Sequence, residues 1–252
     1  MENYLPSYQS NDEKLNYDRL LNLILNSKID KRELLLNLGS FLTSKTLARI
    51  LFMEDIYKQI VEIPGVIMDC GCNWGQIGIL FSTFRSMYEP YNRHRKIIAF
   101  DTFTGFPNEQ VKIQDGSSEM MKPGNLSTGS DYIDYLEQLY EIHENLNPLN
   151  HIKKYEIIEG DTCITVEKYL KEHPETIISL VHFDFDLYTP TKKVLEVIKP
   201  HLIKGSILAF DELNDQDSPG ETRALNEVFP LNTISLKRKS ITSRSTYFKL
   251  GD

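Results

Sequence analysis

The sequence predicts an α/β protein built on an open, mostly parallel sheet with helices on both faces. Three observations carry that expectation. From Val66 onward, short apolar runs alternate with amphipathic segments. Runs of this length read as strands buried on both faces, and strands alternating with helices give right-handed crossovers and a parallel sheet. Two of the runs, Val181-His-Phe-Asp-Phe-Asp-Leu-Tyr188 and Ile207-Leu-Ala-Phe-Asp-Glu-Leu213, end abruptly in carboxylates. Ligand-binding residues of such a sheet gather beyond the carboxyl ends of its strands.

Taken in order, residues 12–61 read as helical. Leu20, Leu21 and Ile24 share one face, as do Ile50, Met53, Tyr57 and Ile60. Pro64-Gly65 breaks the pattern, which divides the chain into an N-terminal helical cap (1–62) and a main domain (63–252). Strands are expected at Val66–Asp69, Lys96–Asp101, Tyr155–Glu159, Ile178–Asp184 and Ser206–Asp211. Ile77, Leu80, Phe81 and Phe84 mark a helix after the first strand. Thr189-Pro190 reads as an N-cap followed by proline at the first helical position, opening a helix through Val194, Leu195 and Ile198 that stops before Pro200. Ser218-Pro-Gly-Glu221 matches a capping box ahead of a helix at Thr222–Phe229. Residues 232–237 and 244–250 alternate weakly, as a terminal hairpin would, with Lys237-Arg-Lys239 as its solvated turn.

One segment breaks the rhythm. Thr102 to Lys154 is far longer than a usual strand-to-helix connection and is rich in loop chemistry, with Pro123-Gly124 and Ser127-Thr-Gly-Ser130. Ser130 is placed to cap a helix bearing Ile133, Leu136, Tyr140 and His143. An insertion of this kind at a sheet edge reads as a lid or substrate loop.

Composition narrows the classes. A chain of 252 residues, 40% apolar and 25% charged, is ordinary for a globular fold. It has no run of about 18 apolar residues to span a membrane, and Met1 to Ser10 lacks the layout of a signal peptide. A net charge of −8 disfavours a nucleic-acid partner. Three cysteines, Cys70, Cys72 and Cys163, argue for a reducing, cytoplasmic setting and against a disulfide framework.

Chemistry concentrates at the strand ends. Met68-Asp-Cys-Gly-Cys-Asn-Trp-Gly-Gln76 follows the first strand directly, and glycines there let a ligand approach the backbone ahead of a helix. Its spacing differs from the Gly-x-Gly-x-x-Gly dinucleotide fingerprint. Asp101 ends the second strand, where an acidic residue accepts the hydroxyls of a ribose or simply caps the next turn. Glu159-Gly-Asp-Thr162 ends the third strand, with Asp161 open to an adenine contact or to a plain turn. Asp184, Asp186, Asp211 and Glu212 bring carboxylates from two neighbouring strands towards one point. Such oxygens repel unless a cation holds them, and an all-oxygen set suits Mg²⁺, Ca²⁺ or Mn²⁺.

Together these landmarks resemble the class I S-adenosylmethionine-dependent methyltransferases. Asp184-Phe-Asp186-Leu-Tyr188, Asp211-Glu212, the Ala224–Phe229 helix and Ala99-Phe-Asp-Thr-Phe-Thr-Gly-Phe-Pro107 further resemble the macrocin/demethylmacrocin (TylF-type) O-methyltransferases over roughly residues 65–230. The resemblance implies a Rossmann-like fold with a mostly parallel seven-stranded sheet, an N-terminal helical extension and the insertion after the second strand. It implies methyl transfer from S-adenosylmethionine to a hydroxyl of a sugar or glycosylated natural product, assisted by Mg²⁺ or another divalent cation. Residues implied around the cofactor are Asp69, Cys70, Gly71, Asn73, Trp74, Gly75, Asp101, Thr102, Gly160, Asp161 and Thr162; those implied at the metal are Asp184, Asp211 and Glu212. This chain departs from the family's usual paired aspartates at Asp211-Glu212, and from its usual Asp-Gly-Asp at Asp184-Phe-Asp186.

The chemistry that follows is an in-line displacement in which a metal orients the acceptor oxygen and lowers its pKa. Asp186 is the first choice of base and His182 the second, with Asp184 common to catalysis and metal binding. The competing readings are a nicotinamide-dependent oxidoreductase and a non-catalytic cofactor-binding relative. The expected partner is a small-molecule acceptor rather than a nucleic acid or membrane. The exposed faces of the N-terminal helices suit either a lid or contacts within a homo-oligomer.

Overall fold

The structure, a computed structural model, describes residues 10–129 and 131–252. The N-terminal region is two helices rather than one long helical stretch: α1 (Asn11–Leu25) and α2 (Ser44–Lys58), separated by turns and a 3₁₀ segment at Leu35–Phe41. Between them the side chains of Ser27 and Asp30 accept from the backbone N–H groups of Ile29 and Arg32, local bonds that compete with helix continuation. α1 carries a complete capping box at Ser10 and Glu13 yet buries no residue, so the predicted face of Leu20, Leu21 and Ile24 does not enter a core. α2 buries Phe52, Met53, Ile56 and Tyr57.

The main sheet follows. Its elements are β1 (Val66–Cys70), α3 (Gln76–Tyr88), β2 (Ile97–Asp101), α4 (Tyr132–Asn145), β3 (Tyr155–Glu159), α5 (Thr162–Glu172), β4 (Ile178–Phe183), α6 (Tyr188–Ile198), β5 (Leu202–Phe210), α7 (Gly220–Val228), β6 (Lys237–Arg238) and β7 (Thr246–Lys249). Seven strands lie in the order β3-β2-β1-β4-β5-β7-β6, parallel through β5, with β7 antiparallel to both its neighbours. One apolar layer packs α2, α3 and α4 on one face; the other packs α5, α6 and α7 on the opposite face. Strand order reverses between β1 and β4, the position at which open α/β sheets form a ligand crevice. Among the described residues, no helix is long and apolar enough to cross a membrane.

Three local expectations are corrected. Helix α6 begins at Tyr188 with Leu187 as a cap that offers no side-chain bond, so Thr189 and Pro190 lie inside its first turn. The Tyr188 N–H instead donates to Asp115 Oδ1 at 2.6 Å, a cap supplied by the insertion. No capping box forms at α7: Glu221 is fully buried and its Oε1 accepts from the Phe185 N–H at 3.0 Å. Lys237 and Arg238 are an exposed edge strand paired with β7, not the turn. Ser130, the expected cap of α4, lies outside the described residues.

At the amino ends of the strands two buried ion networks close the structure. Arg95 donates to Glu89, to Ser179 Oγ and to the carbonyls of Ile60, Ile63 and Gly65, all at 2.6–2.9 Å. Arg85 pairs with both oxygens of Glu144 and donates to the carbonyls of Arg95 and Lys154.

Candidate active site

The site is assembled by the parallel ladder itself. The Asp184 N–H donates to the Cys70 carbonyl at 2.9 Å, and the Asp211 N–H to the Phe183 carbonyl at 3.1 Å. β1, β4 and β5 therefore finish at one level, and Asp184 and Asp211 stand side by side one residue beyond β4 and β5. Two carboxylates so close need a counter-charge. It comes from α2: Arg49 Nη2 meets Asp184 Oδ2 at 2.8 Å and Arg49 Nη1 meets Asp211 Oδ1 at 2.9 Å. Ser245 Oγ adds a 3.1 Å bond to Asp211 Oδ1.

The two aspartates respond differently. Burial, and then the charge of Asp211, push the Asp184 carboxyl up to about 7. Burial also acts upward on Asp211, but Arg49, His182 and Arg244 outweigh it and hold that carboxyl below its usual range. His182 lies under the pair: its Nδ1 faces Asp69 Oδ1 at 3.1 Å, while its buried Nε2 has no partner. Ligand atoms of His182, Asp184 and Asp211 all lie within 4.8 Å of one another. Glu212 stands apart from that group. One of its oxygens pairs with Arg244, and the other is buried without a partner.

Asp186 adopts φ 58°, a left-handed conformation uncommon outside glycine, as the chain turns from β4 into α6. Its carboxyl is pushed well above the ordinary range by burial and then by the neighbouring carboxyl of Glu212. Glu221, beneath Phe185, is raised in the same way by burial and then by the charge of Glu212. Gly220 begins α7 where three elements meet: a Cβ there would lie 2.6 Å from the Tyr188 nitrogen, 2.7 Å from Asp115 Oδ1 and 2.8 Å from the Asp186 carbonyl.

Beside the carboxylates opens a cavity of about 580 Å³, counting its open mouth. Its wall holds Gly71, Asn73, Asp101, Thr102 and Thr162 together with Asp184 and Asp186. Gly71, at φ 81°, sits so close to the Asp184 carbonyl that no side chain fits. Asp101 accepts from the N–H groups of Asn73 at 2.8 Å and Phe103 at 2.7 Å, fixing the two loops that flank the opening, and burial raises its carboxyl.

Other sequence-predicted residues are placed differently. Asp69 is fully buried and accepts from the Gly78 N–H while facing His182; Cys70 is equally buried. Gly75 starts α3 against Leu136, and Trp74 is half exposed with its ring edge-on to Tyr132. Gly160 and Asp161 turn the chain into α5, where Asp161 caps the helix through the Cys163 N–H and accepts from Gln110 of the insertion at 2.6 Å. Phe106 and Pro107, from the stretch that carries the family resemblance, and Gln110, which the sequence did not single out, also line the cavity. Arg49 was missed as well. It falls on the stripe of Phe52, Met53 and Ile56, and a lone cation within an apolar stripe is the signal that flags a buried counter-ion.

A seven-stranded sheet of this order, with a glycine turn after β1 and an acidic residue ending β2, defines a Rossmann-like methyltransferase fold. No family model matches the chain, and no curated protein does. Solved structures do. The chain is 39% identical to one described as CalS11, a calicheamicin methyltransferase, covering 98% of this chain and 95% of that one with a TM-score of 0.94. An apo structure described as CalS11, a TDP-rhamnose 3'-O-methyltransferase of calicheamicin biosynthesis, gives 36% identity, 98% and 97% coverage and a TM-score of 0.86. The O-methyltransferase NovP shares the fold at 16% identity, 81% and 79% coverage and a TM-score of 0.60. The chain belongs to the S-adenosylmethionine-dependent O-methyltransferases.

Proposed function

We propose that this enzyme methylates a hydroxyl of a sugar, carried as a nucleotide sugar or on a glycosylated natural product, with help from a divalent cation. The observation that carries the reading is the Asp184–Asp211 pair at adjoining strand ends, of which Asp184, with Asp186, lines the cavity that also holds Gly71, Asn73 and Asp101. The similarity to CalS11, a TDP-rhamnose 3'-O-methyltransferase, supports the acceptor class.

When bound, S-adenosylmethionine supplies an electrophilic methyl group. In this reading Gly71 and Asn73 take the amino-acid and ribose parts, Asp101 accepts from the ribose hydroxyls, and Thr102, Gly160, Asp161 and Thr162 border the base. None of Asp69, Cys70, Trp74 and Gly75 lines the cavity: the first two are buried at the end of β1, Trp74 is half exposed and Gly75 starts α3.

The donor chemistry fits a divalent ion: two carboxylates converge with the imidazole of His182, whose buried Nε2 has no partner. Asp184 and Asp211 would hold it, with Glu212 joining once its free oxygen turns inward, and the ion would supply charge that orients and acidifies an adjacent oxygen pair. Asp186 takes the acceptor's proton. Its raised pKa makes it a stronger base than an exposed carboxylate once ionised, and places that ionisation higher on the pH scale. His182, held at Nδ1 by Asp69, is the second candidate base.

The test starts with calorimetric titration of S-adenosylhomocysteine with Mg²⁺ and with chelator, NAD⁺ serving as control. Labelled methyl transfer to TDP-rhamnose follows. Cofactor binding with metal-stimulated transfer supports the reading. Transfer that persists in the Asp184→Ala variant under chelation overturns the metal mechanism.

A further inference from the structure

We propose that Arg49 is a resident counter-ion which a divalent cation must displace, so that the apo and metal-loaded states of the site are alternatives set by one side chain of α2. The inference rests on the metal reading above and adds a competitor to it.

The geometry is specific. One guanidinium spans two carboxylates from neighbouring strands, one Nη on each, at 2.8 and 2.9 Å. Each of these two carboxylates also has an oxygen within 4.8 Å of the other's and of a ring nitrogen of His182, whose buried Nε2 has no hydrogen-bond partner. A metal held by Asp184 and Asp211 would therefore compete with the guanidinium for its acceptors. Arginine cannot yield by losing its proton, because its pKa stays above 12 in proteins. It has to move.

The structure allows that movement without unpacking the helix. α2 is anchored by Phe52, Met53, Ile56 and Tyr57, all essentially unexposed. Arg49 lies a turn before this anchor, its side chain is 32% exposed, and its Nε makes no hydrogen bond. The two carboxylates are its hydrogen-bonding partners, so once a stronger cation neutralises them the long side chain is free to swing to solvent. Without metal, the same residue removes the like-charge repulsion that would otherwise strain the strand ends.

Two measurements on the full-length protein test this. The first is calorimetric titration of Mn²⁺ into wild type, Arg49→Gln, and Asp184→Asn as a location control. The glutamine variant should bind Mn²⁺ at least about tenfold tighter, since close buried charge pairs are coupled by more than that factor, and Asp184→Asn should lose binding. Equal or weaker binding by Arg49→Gln overturns the proposal. The second needs no variant to fold under new conditions: the guanidinium NMR signals of Arg49 in wild type, restricted in the bridged state, should become motionally averaged at saturating Mg²⁺. Unchanged signals with Mg²⁺ demonstrably bound also overturn it. If neither wild type nor Arg49→Gln binds a divalent ion while S-adenosylhomocysteine still binds, the metal reading itself fails, and this proposal with it.

Discussion

The two ends of the parallel strands handle buried charge in opposite ways. At the amino ends, the Arg95 donors all find acceptors and Arg85 is matched by both oxygens of Glu144, so the networks are closed. At the carboxyl ends, Asp184, Asp186, Asp211, Glu212 and Glu221 crowd together against the guanidiniums of Arg49 and Arg244. That cluster leaves the Nε2 of His182 and an oxygen each of Glu212 and Glu221 buried without partners. Buried polar groups are nearly always satisfied, because leaving one bare costs about 1–3 kcal/mol. A fold that closes one end completely and leaves the other short of positive charge is storing electrostatic free energy where ligands bind.

The comparison breaks most visibly if a closed network is opened. Arg95→Met should destabilise the protein by about 3–5 kcal/mol, because it leaves Glu89 buried without its cation and takes the donor from the carbonyls of Ile60, Ile63 and Gly65. Chemical denaturation would read this, with the residual folded enzyme keeping its cofactor affinity. The opposite signature belongs to the other end. Asp184→Ala should lower methyl transfer by about 10²–10³-fold, the usual loss on removing a preorganised electrostatic group, with little change in S-adenosylhomocysteine binding by calorimetry. A smaller effect is expected at the cofactor side, where Asp101→Asn should weaken S-adenosylhomocysteine by about tenfold, the scale of one charged hydrogen bond.

The subtlest test is pH. The Glu221 carboxyl keeps its proton in the fold well above the range in which an unfolded glutamate loses it. In that window the native state binds the extra proton, so stability is greatest at acid pH and falls as pH rises through the raised native value. Glu221→Gln, which mimics the protonated form, should flatten that decline in thermal melts across pH. A slope identical to wild type would show that Glu221 is not the stranded charge described here.

Much of this was legible in the sequence because the signals were local. The five parallel strands, the glycine turn at Gly71 and the carboxylate strand ends follow from apolar runs and what terminates them. Cap assignments at Thr189 and Glu221 failed for a common reason. In both places tertiary partners displaced the local motif: Asp115 took over the first, and Phe185 claimed the carboxylate of the second. Arg49 was hidden by distance, lying 135 positions from Asp184 in the chain, and only its position on an apolar stripe marked it. The open face of α1 obeyed helical periodicity perfectly and still buried nothing, since amphipathic spacing reports a helix and not what covers it.

The bond from Asp115 to the start of α6 has a consequence for anyone who would re-engineer acceptor choice. The insertion reads as a plug-in loop between two elements, yet it is also the cap of the helix that follows the Asp186 turn, and Gly220 keeps the space in which the two meet. Grafting a relative's segment between β2 and α4 thus transplants a helix cap along with the loop. Chimeras that exchange the loop without Asp115, or that place any side chain at position 220, are expected to fray α6 and shift Asp186 before any new substrate is offered; those that move Asp115 and Gly220 as a matched pair should keep the turn intact.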